Sequence, residues 1–108
     1  MRNQSLFLFM FYLYILYSKS SELYYVGYSD NPDRRLQEHN STSFNTFTSK
    51  HRPWILKAVF ECGKTNTDAI RLERFIKKQK SRKLLEQLCD KSFKPEGFLS
   101  QLIRVPNI

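Results

Sequence analysis

The chain has 108 residues, 41% of them apolar, and a formal net charge of +8. The length allows one domain with a single modest core, and the apolar share excludes a disordered chain. The basic balance, with a pI of about 9.7, points to a polyanion as partner, nucleic acid before others, and otherwise to a basic but inert surface.

Leu6 to Tyr17 is a nearly continuous apolar and aromatic run after Arg2. It falls short of the roughly 20 residues that cross a bilayer. A signal-peptide core would end at a small-residue cleavage site, whereas Ser18-Lys19-Ser20-Ser21 is polar. A membrane-bound peptide would need this run to be helical, and its β-rich composition argues otherwise. Phe11 to Tyr17 reads as a strand, Ser18 to Glu22 as a turn, and Leu23 to Tyr28 as a second strand, together a hairpin. Alternation places Tyr12, Tyr14 and Leu16 on one face, with Phe11, Leu13, Ile15 and Tyr17 on the other. Pairing Leu16 with Leu23 sets Tyr14 opposite Tyr25.

Ser29-Asp30-Asn31-Pro32 starts a helix, with a capping side chain, Pro in the first turn and Asp33 at the positive end of the dipole. The helix is predicted to reach about Asn40, with Arg35 and His39 four apart on one face. Asn40 to Lys50, rich in Ser, Thr and Asn, reads as a mobile loop. Trp54 to Glu61 is a third strand, introduced by Pro53 and closed by Gly63, with Trp54 anchoring it in the core. Thr67 caps a helix from Asp68 to about Lys78, and another runs from Ser81 to Cys89. The order β-β-α-β-α-α implies an α/β (α+β) domain: a small three-stranded, mainly antiparallel sheet with flanking helices. The expected division is an extension at 1–9, a folded domain at 10–90 and a tail at 91–108. Cys62 and Cys89 make no zinc pattern with His39 and His51. Two reduced thiols in a cytoplasmic protein are expected, one disulfide being the open alternative.

Leu13-Tyr14-Ile15, Tyr25-Val26-Gly27, Arg35 eight residues after Gly27, and His39 one turn further form a constellation. Glu73 completes it. Ala69, Leu72 and Ile76 make an apolar stripe whose remaining position is Glu73. A carboxylate there is costly unless paired, with Lys77 for example, or ligating a metal. This set resembles the GIY-YIG nuclease domain from about Phe11 to Leu85. It is most similar to small stand-alone members like the N-terminal domain of excinuclease C. The family's Gly in the first motif is Tyr12 here, and the Asn of many longer members has no counterpart. Met10 stands where small members usually begin.

The resemblance implies a Mg²⁺-dependent endonuclease acting on DNA, with RNA an open alternative, in DNA repair or processing. Tyr14 and Tyr25 would flank the attacking water, one of them as base. Arg35 would brace the phosphate, and His39 would hydrogen-bond a tyrosine or the phosphate. Glu73 would hold Mg²⁺ or another divalent cation. Gly27 would leave room for the scissile phosphate, or else mark a bulge. The basic run from Arg71 to Lys83 would neutralise backbone phosphates through Arg74, Lys77, Lys78, Lys80, Arg82 and Lys83, and Lys50 and Arg52 would add a second patch. A solvated helix face is the plainer reading of such a run. A monomer is the expected state. The rival function is a binding module on the same fold that does not turn over.

Overall fold

The computed structural model describes residues 9–41, 47–106 and 108. Four strands form one antiparallel sheet: β1 (Phe11–Ser18), β2 (Leu23–Ser29), β3 (Trp54–Gly63) and β4 (Ile103–Arg104), in the order β2-β1-β3-β4. Among the described residues three α-helices accompany them: α1 (Pro32–Ser41), α2 (Asn66–Gln79) and α3 (Arg82–Cys89). The expected α+β class and element order hold, with one strand more than expected.

The extra strand comes from the presumed tail. Arg104 reaches the end of α3, donating to the carbonyls of Leu88 at 2.7 Å and Cys89 at 3.3 Å. Its guanidinium lies 5.7 Å from the centre of the Phe60 ring. Leu99 and Leu102 are buried in the main core. A tail that covers apolar surface and caps orphan helix carbonyls is part of the fold.

The sheet separates two apolar layers. On one face Leu13, Ile15, Val26, Ala58 and Phe60 meet Leu72 and Ile76 of α2 and Leu88 of α3. This is the larger core, where each fully buried Leu or Ile contributes about 1.5–3 kcal/mol. On the other face Tyr14, Leu16, Trp54 and Val59 form a smaller cluster under Leu36 of α1. Stability therefore rests mainly on the first face, and the second can carry polar groups.

Helix α1 has little apolar surface, and His39 is its one buried residue. Its ends are pinned by hydrogen bonds instead. At the start, the Asn31 side chain accepts from the Arg34 N–H at 3.0 Å, and Ser29 Oγ accepts from the Asn31 N–H at 2.9 Å. At the far end, the Asn40 amide pairs with both backbone groups of Trp54, accepting from its N–H at 2.7 Å and donating to its carbonyl at 3.0 Å. Arg52 Nε donates to the His39 carbonyl at 2.7 Å. The stretch read as a mobile loop from Asn40 to Lys50 thus begins with a fixed residue. It ends in a 3₁₀ turn at Thr48–His51, whose Thr48 carbonyl accepts from the indole N–H of Trp54 at 2.8 Å. The part at 42–46 lies outside the described residues, as do residues 1–8 of the expected extension.

The hairpin register differs from expectation. Tyr14 faces Gly27, and Leu16 faces Tyr25. Ser18 belongs to β1 and pairs with Leu23, so a tighter turn of Lys19 to Glu22 closes the hairpin, with Glu22 at a φ of 54°. Ser18 Oγ, fully buried, accepts from the Ser21 N–H at 3.3 Å and braces that turn. The slide is two residues, so every side chain keeps its expected face. A smaller correction concerns α2, which starts at Asn66 after Thr65, ahead of the Thr67 cap read from sequence. For α3, Ser81 is the cap and accepts from the Leu84 N–H at 3.0 Å.

Candidate active site

β1 and β2 are neighbours at one side of the sheet, so Tyr14 and Tyr25 come from adjacent strands. Because Tyr14 faces a glycine, its ring is free to lie across Gly27. A Cβ on Gly27 would stand 2.5 Å from Tyr14 Oη and 2.6 Å from Cζ. Gly27 is therefore required by the phenol itself. The space left by its missing side chain is filled by Tyr14, where a phosphate was expected.

Tyr14 is 1% exposed. Its Oη lies 3.0 Å from His39 Nε2, and the Arg35 guanidinium is close enough to lower its pKa. A guanidinium only donates, so toward Arg35 the phenol oxygen is an acceptor. Which of Tyr14 and His39 donates in the bond between them is set by the His39 tautomer. Burial and the neighbouring charge of Arg35 push His39 down to about 4, which keeps it neutral at physiological pH. Burial pushes Tyr14 up to about 12, partly opposed by the Arg35 hydrogen bond. Tyr14 is thus held as an un-ionised phenol.

Arg35 spans two partners, Tyr14 and Glu38. Burial works against its charge, but the hydrogen bonds to Glu38 and Tyr14 outweigh it and raise its pKa above the usual value. Arg34, next to it and turned away, pairs with Asp30 at 3.3 Å and Glu38 at 3.4 Å. Glu38 is shared between the two arginines. A phosphate oxygen can replace it on Arg35 without leaving Glu38 unpaired.

Tyr25 is partly exposed. Its ring centre lies 4.8 Å from that of His39, 6.4 Å from Tyr14 and 6.0 Å from Trp54. The Lys77 ammonium stands 5.7 Å from the centre of the same ring. Lys77 also pairs with Glu73 at 3.5 Å, and the Glu73 side chain is 16% exposed. Glu73 is near enough for its charge to act on Tyr14. So α2, packed on the opposite face, delivers a carboxylate and an ammonium around β2 to the site. Tyr14, Tyr25, Arg35, His39 and Glu73 come together from four elements.

Among the described residues no group of three or more His, Cys, Asp or Glu side chains converges. A transition-metal cage is not what these residues build. Mg²⁺ takes one or two carboxylates and keeps several waters. One half-buried Glu73, with Lys77 as its sole ion-pair partner among the described residues, fits that donor set.

The other expected contacts scatter. Successive helix residues turn by about 100°, so the basic run of α2 does not form one surface. Lys77 belongs to the site. Arg74 and Lys78 are exposed on a different side of the helix, and Lys80, Arg82 and Lys83 surround the α2–α3 junction. Arg82 is committed to structure, donating to the Glu22 carbonyl at 2.6 Å and covering the Tyr24 ring at 5.2 Å. Lys50 is exposed in its 3₁₀ turn, while Arg52 clamps α1. Glu38 pairs with Arg35, as the plainer reading of a helix arginine has it, with Glu38 or Asp33 as partner. The residue that sequence reasoning missed is Asn40, which fixes the end of the helix beside His39; its nearness to the constellation in sequence was the only available signal. Cys62 and Cys89 are free thiols.

The model of the GIY-YIG catalytic domain matches residues 10–86. The chain belongs to the GIY-YIG family. The UPF0213 protein CPE1444 of Clostridium perfringens (strain 13 / Type A) is 29% identical over 93 residues, covering 86% of this chain and 98% of that protein. GIY-YIG is a nuclease-type, hydrolase family with nucleic acid as its substrate class. The GIY-YIG match ends within α3, whereas the fold continues through Leu99, Leu102 and β4. No helix among the described residues is long and apolar enough to cross a membrane.

The buried His39 makes the site sensitive to acid. Its pKa is lowered by folding, so its contribution to stability is present above about 6.5 and is lost as pH falls from there to about 4. Chemical unfolding at pH 7 and pH 4.5 should differ by about 2–3 kcal/mol from this group. His39→Gln keeps a hydrogen-bond partner for Tyr14 and should lose that part of the pH dependence. An equal acid response in wild type and His39→Gln would show that another group governs it.

Proposed function

We propose that this protein is an Mg²⁺-dependent endonuclease that hydrolyses phosphodiester bonds in DNA. The observation that supports it is the convergence of two phenols, a guanidinium, a neutral imidazole and one carboxylate on the edge of the sheet. A module that only bound nucleic acid would need the cations and would have no use for a buried phenol held between His39 and Arg35.

Access divides the two tyrosines. Tyr14 is sealed and its hydroxyl is committed to His39, so it positions Arg35 and the face of the site. Tyr25 is reachable by water and is assigned as the base. A phenolate base requires nearby positive charge, and Lys77 stands over its ring. Water attacks phosphorus along the line opposite the leaving oxygen. The O–P bond forms while the P–O bond to the sugar breaks, and the proton of the water passes to Tyr25 Oη. Arg35 gives up Glu38 and donates to the non-bridging oxygens as they gain charge. The divalent cation, held by Glu73, would act as a Lewis acid and stabilise the leaving oxygen. One such site cuts one strand, and a monomer suffices for that. A place in DNA repair or processing in the cytoplasm rests on the resemblance to the excinuclease domain.

The test is incubation of the purified protein with labelled branched, nicked, single-stranded and duplex DNA, with and without Mg²⁺, and RNA in parallel. Cleavage of at least one DNA form, dependent on the cation, is the expected result. Tight, salt-sensitive binding with no cleavage of any form would establish the binding module instead.

A further inference from the structure

A cleft of about 350 Å³ opens between β2 and the α2–α3 junction. Nothing in the catalytic reading uses most of it. Its walls are apolar and aromatic, with Leu23, Tyr24 and Leu85 prominent. Lys77, Lys80 and Arg82 line it as well, with Glu73 and Glu86 paired to Lys77 and Arg82 from outside the lining. Tyr25 borders both the cleft and the active site. The lining is therefore a flat, greasy slot with cations and a reacting phenol at its rim.

The cations are held in place. Arg82 is fixed by the Glu22 carbonyl and lies 5.2 Å from the Tyr24 ring centre, and Lys77 lies 5.7 Å from that of Tyr25. Lys80 sits at the C-cap of α2 with a φ of 49°, in the left-handed region. Glycine is the favoured residue there. The chain keeps a lysine at a position where its backbone is strained, and that lysine faces the cleft.

We infer that this cleft receives one unpaired nucleotide of a nucleic-acid strand. The base lies against Leu23, Tyr24 and Leu85, and its phosphate lies at Lys80 and Lys77, beside an Arg82 held by the Glu22 carbonyl and Glu86. The chemistry follows from the lining. An aromatic, apolar lining with Lys80 in no ion pair among the described residues, and Lys77 and Arg82 each shared with a neighbouring carboxylate, suits an aromatic body that carries a phosphate. A paired base is stacked inside its duplex and does not present that body. The shared Tyr25 puts the next phosphate along the strand at the site. The inference names the substrate class for the proposed nuclease and rests on that reading for the direction of the strand.

Binding without divalent cation tests it separately from catalysis. Three labelled oligonucleotides of one length are compared on the full chain: a single strand, the same strand with abasic residues, and its paired duplex. Stacking is worth about 1–3 kcal/mol per base, so the base-bearing strand should bind about 5- to 150-fold tighter than the abasic strand. The duplex should bind less tightly than the single strand. Tyr24→Leu should narrow the gap between the base-bearing and abasic strands. Lys80→Gly should weaken both strands several-fold and alike, with a melting temperature equal to or above wild type, because glycine suits that backbone. Equal affinity for base-bearing and abasic strands, or a duplex bound as tightly as the single strand, would overturn the inference. So would an unchanged gap in Tyr24→Leu, or unchanged affinity in Lys80→Gly. Cleavage without the base preference would sink the cleft alone, and the base preference without cleavage would sink the catalytic reading alone.

Discussion

Arg35→Ala should cut DNA about 10²–10³ times more slowly than wild type while unfolding at nearly the same denaturant concentration. Loss of one preorganised donor to a developing oxyanion typically costs that much. The stability effect is small because the Arg35 side chain is 36% exposed and its partner Glu38 is 38% exposed, where an ion pair is worth under about 1 kcal/mol. Arg34 already holds the other oxygen of Glu38 and keeps it paired. Arg35→Lys should rescue little, since an ammonium cannot span Tyr14 and a phosphate as a planar fork does. A second readout separates this role from a merely structural one. The Arg35 charge lowers the pKa of His39, so removing it should move the His39 titration upward in an NMR pH series. Normal cleavage by Arg35→Ala would remove Arg35 from the site.

Gly27→Ala should be more damaging than a single methyl suggests. The new Cβ would sit 2.5 Å from Tyr14 Oη, within a space that no real contact occupies. Two effects compete. Replacing glycine in a strand lowers the entropy of the unfolded chain and stabilises by about 0.5–1 kcal/mol. Overpacking a well-filled core costs about 1–3 kcal/mol. The second wins if the ring cannot yield, and it is ill placed to do so. Tyr14 is 1% exposed and its oxygen is tied to both His39 and Arg35. Displacing it leaves Nε2 of a buried histidine without its hydrogen-bond partner. A melting temperature lower by roughly 5 °C or more, together with cleavage near background, is the expected outcome. A variant as stable and active as wild type would mean that Tyr14 does not lie across Gly27.

Much of this arrangement was legible in the residues. The hairpin, the start of α1 at Pro32 and the three buried positions of α2 follow from alternation, capping and the 3.6-residue period. Glu73 was visible as a carboxylate on an apolar stripe. The face of each hairpin residue survived an error in register because that error was an even number of residues. The register itself was illegible, because the Ser18–Leu23 closure depends on a buried serine bracing the turn. That the Tyr14 ring lies across Gly27 follows from that register and leaves no trace in the sequence. The clamp at Asn40 was also hidden, since a side-chain amide pairing with a strand's backbone leaves no periodic trace. The tail reads from sequence as irregular or a short appended helix, and a 3₁₀ helix stands at Gly97–Gln101; its two-residue strand is too short to show alternation, and its contribution lies in Leu99, Leu102 and Arg104 reaching distant partners. The basic run misled in the opposite direction: continuous in sequence, it is divided by the helix over several faces.

The central claim is that a single carboxylate on α2 equips this site for cation-dependent cleavage, and Glu73→Gln tests it most directly. The substitution keeps the shape of the side chain and removes its charge. DNA affinity without divalent cation, unfolding, and cleavage with Mg²⁺ are measured on the same preparation beside wild type. The expected result is a folded protein that binds DNA as tightly as wild type or tighter, because a negative charge beside the phosphate path is gone, and that no longer cuts. Cleavage by Glu73→Gln at the wild-type rate would contradict the assignment.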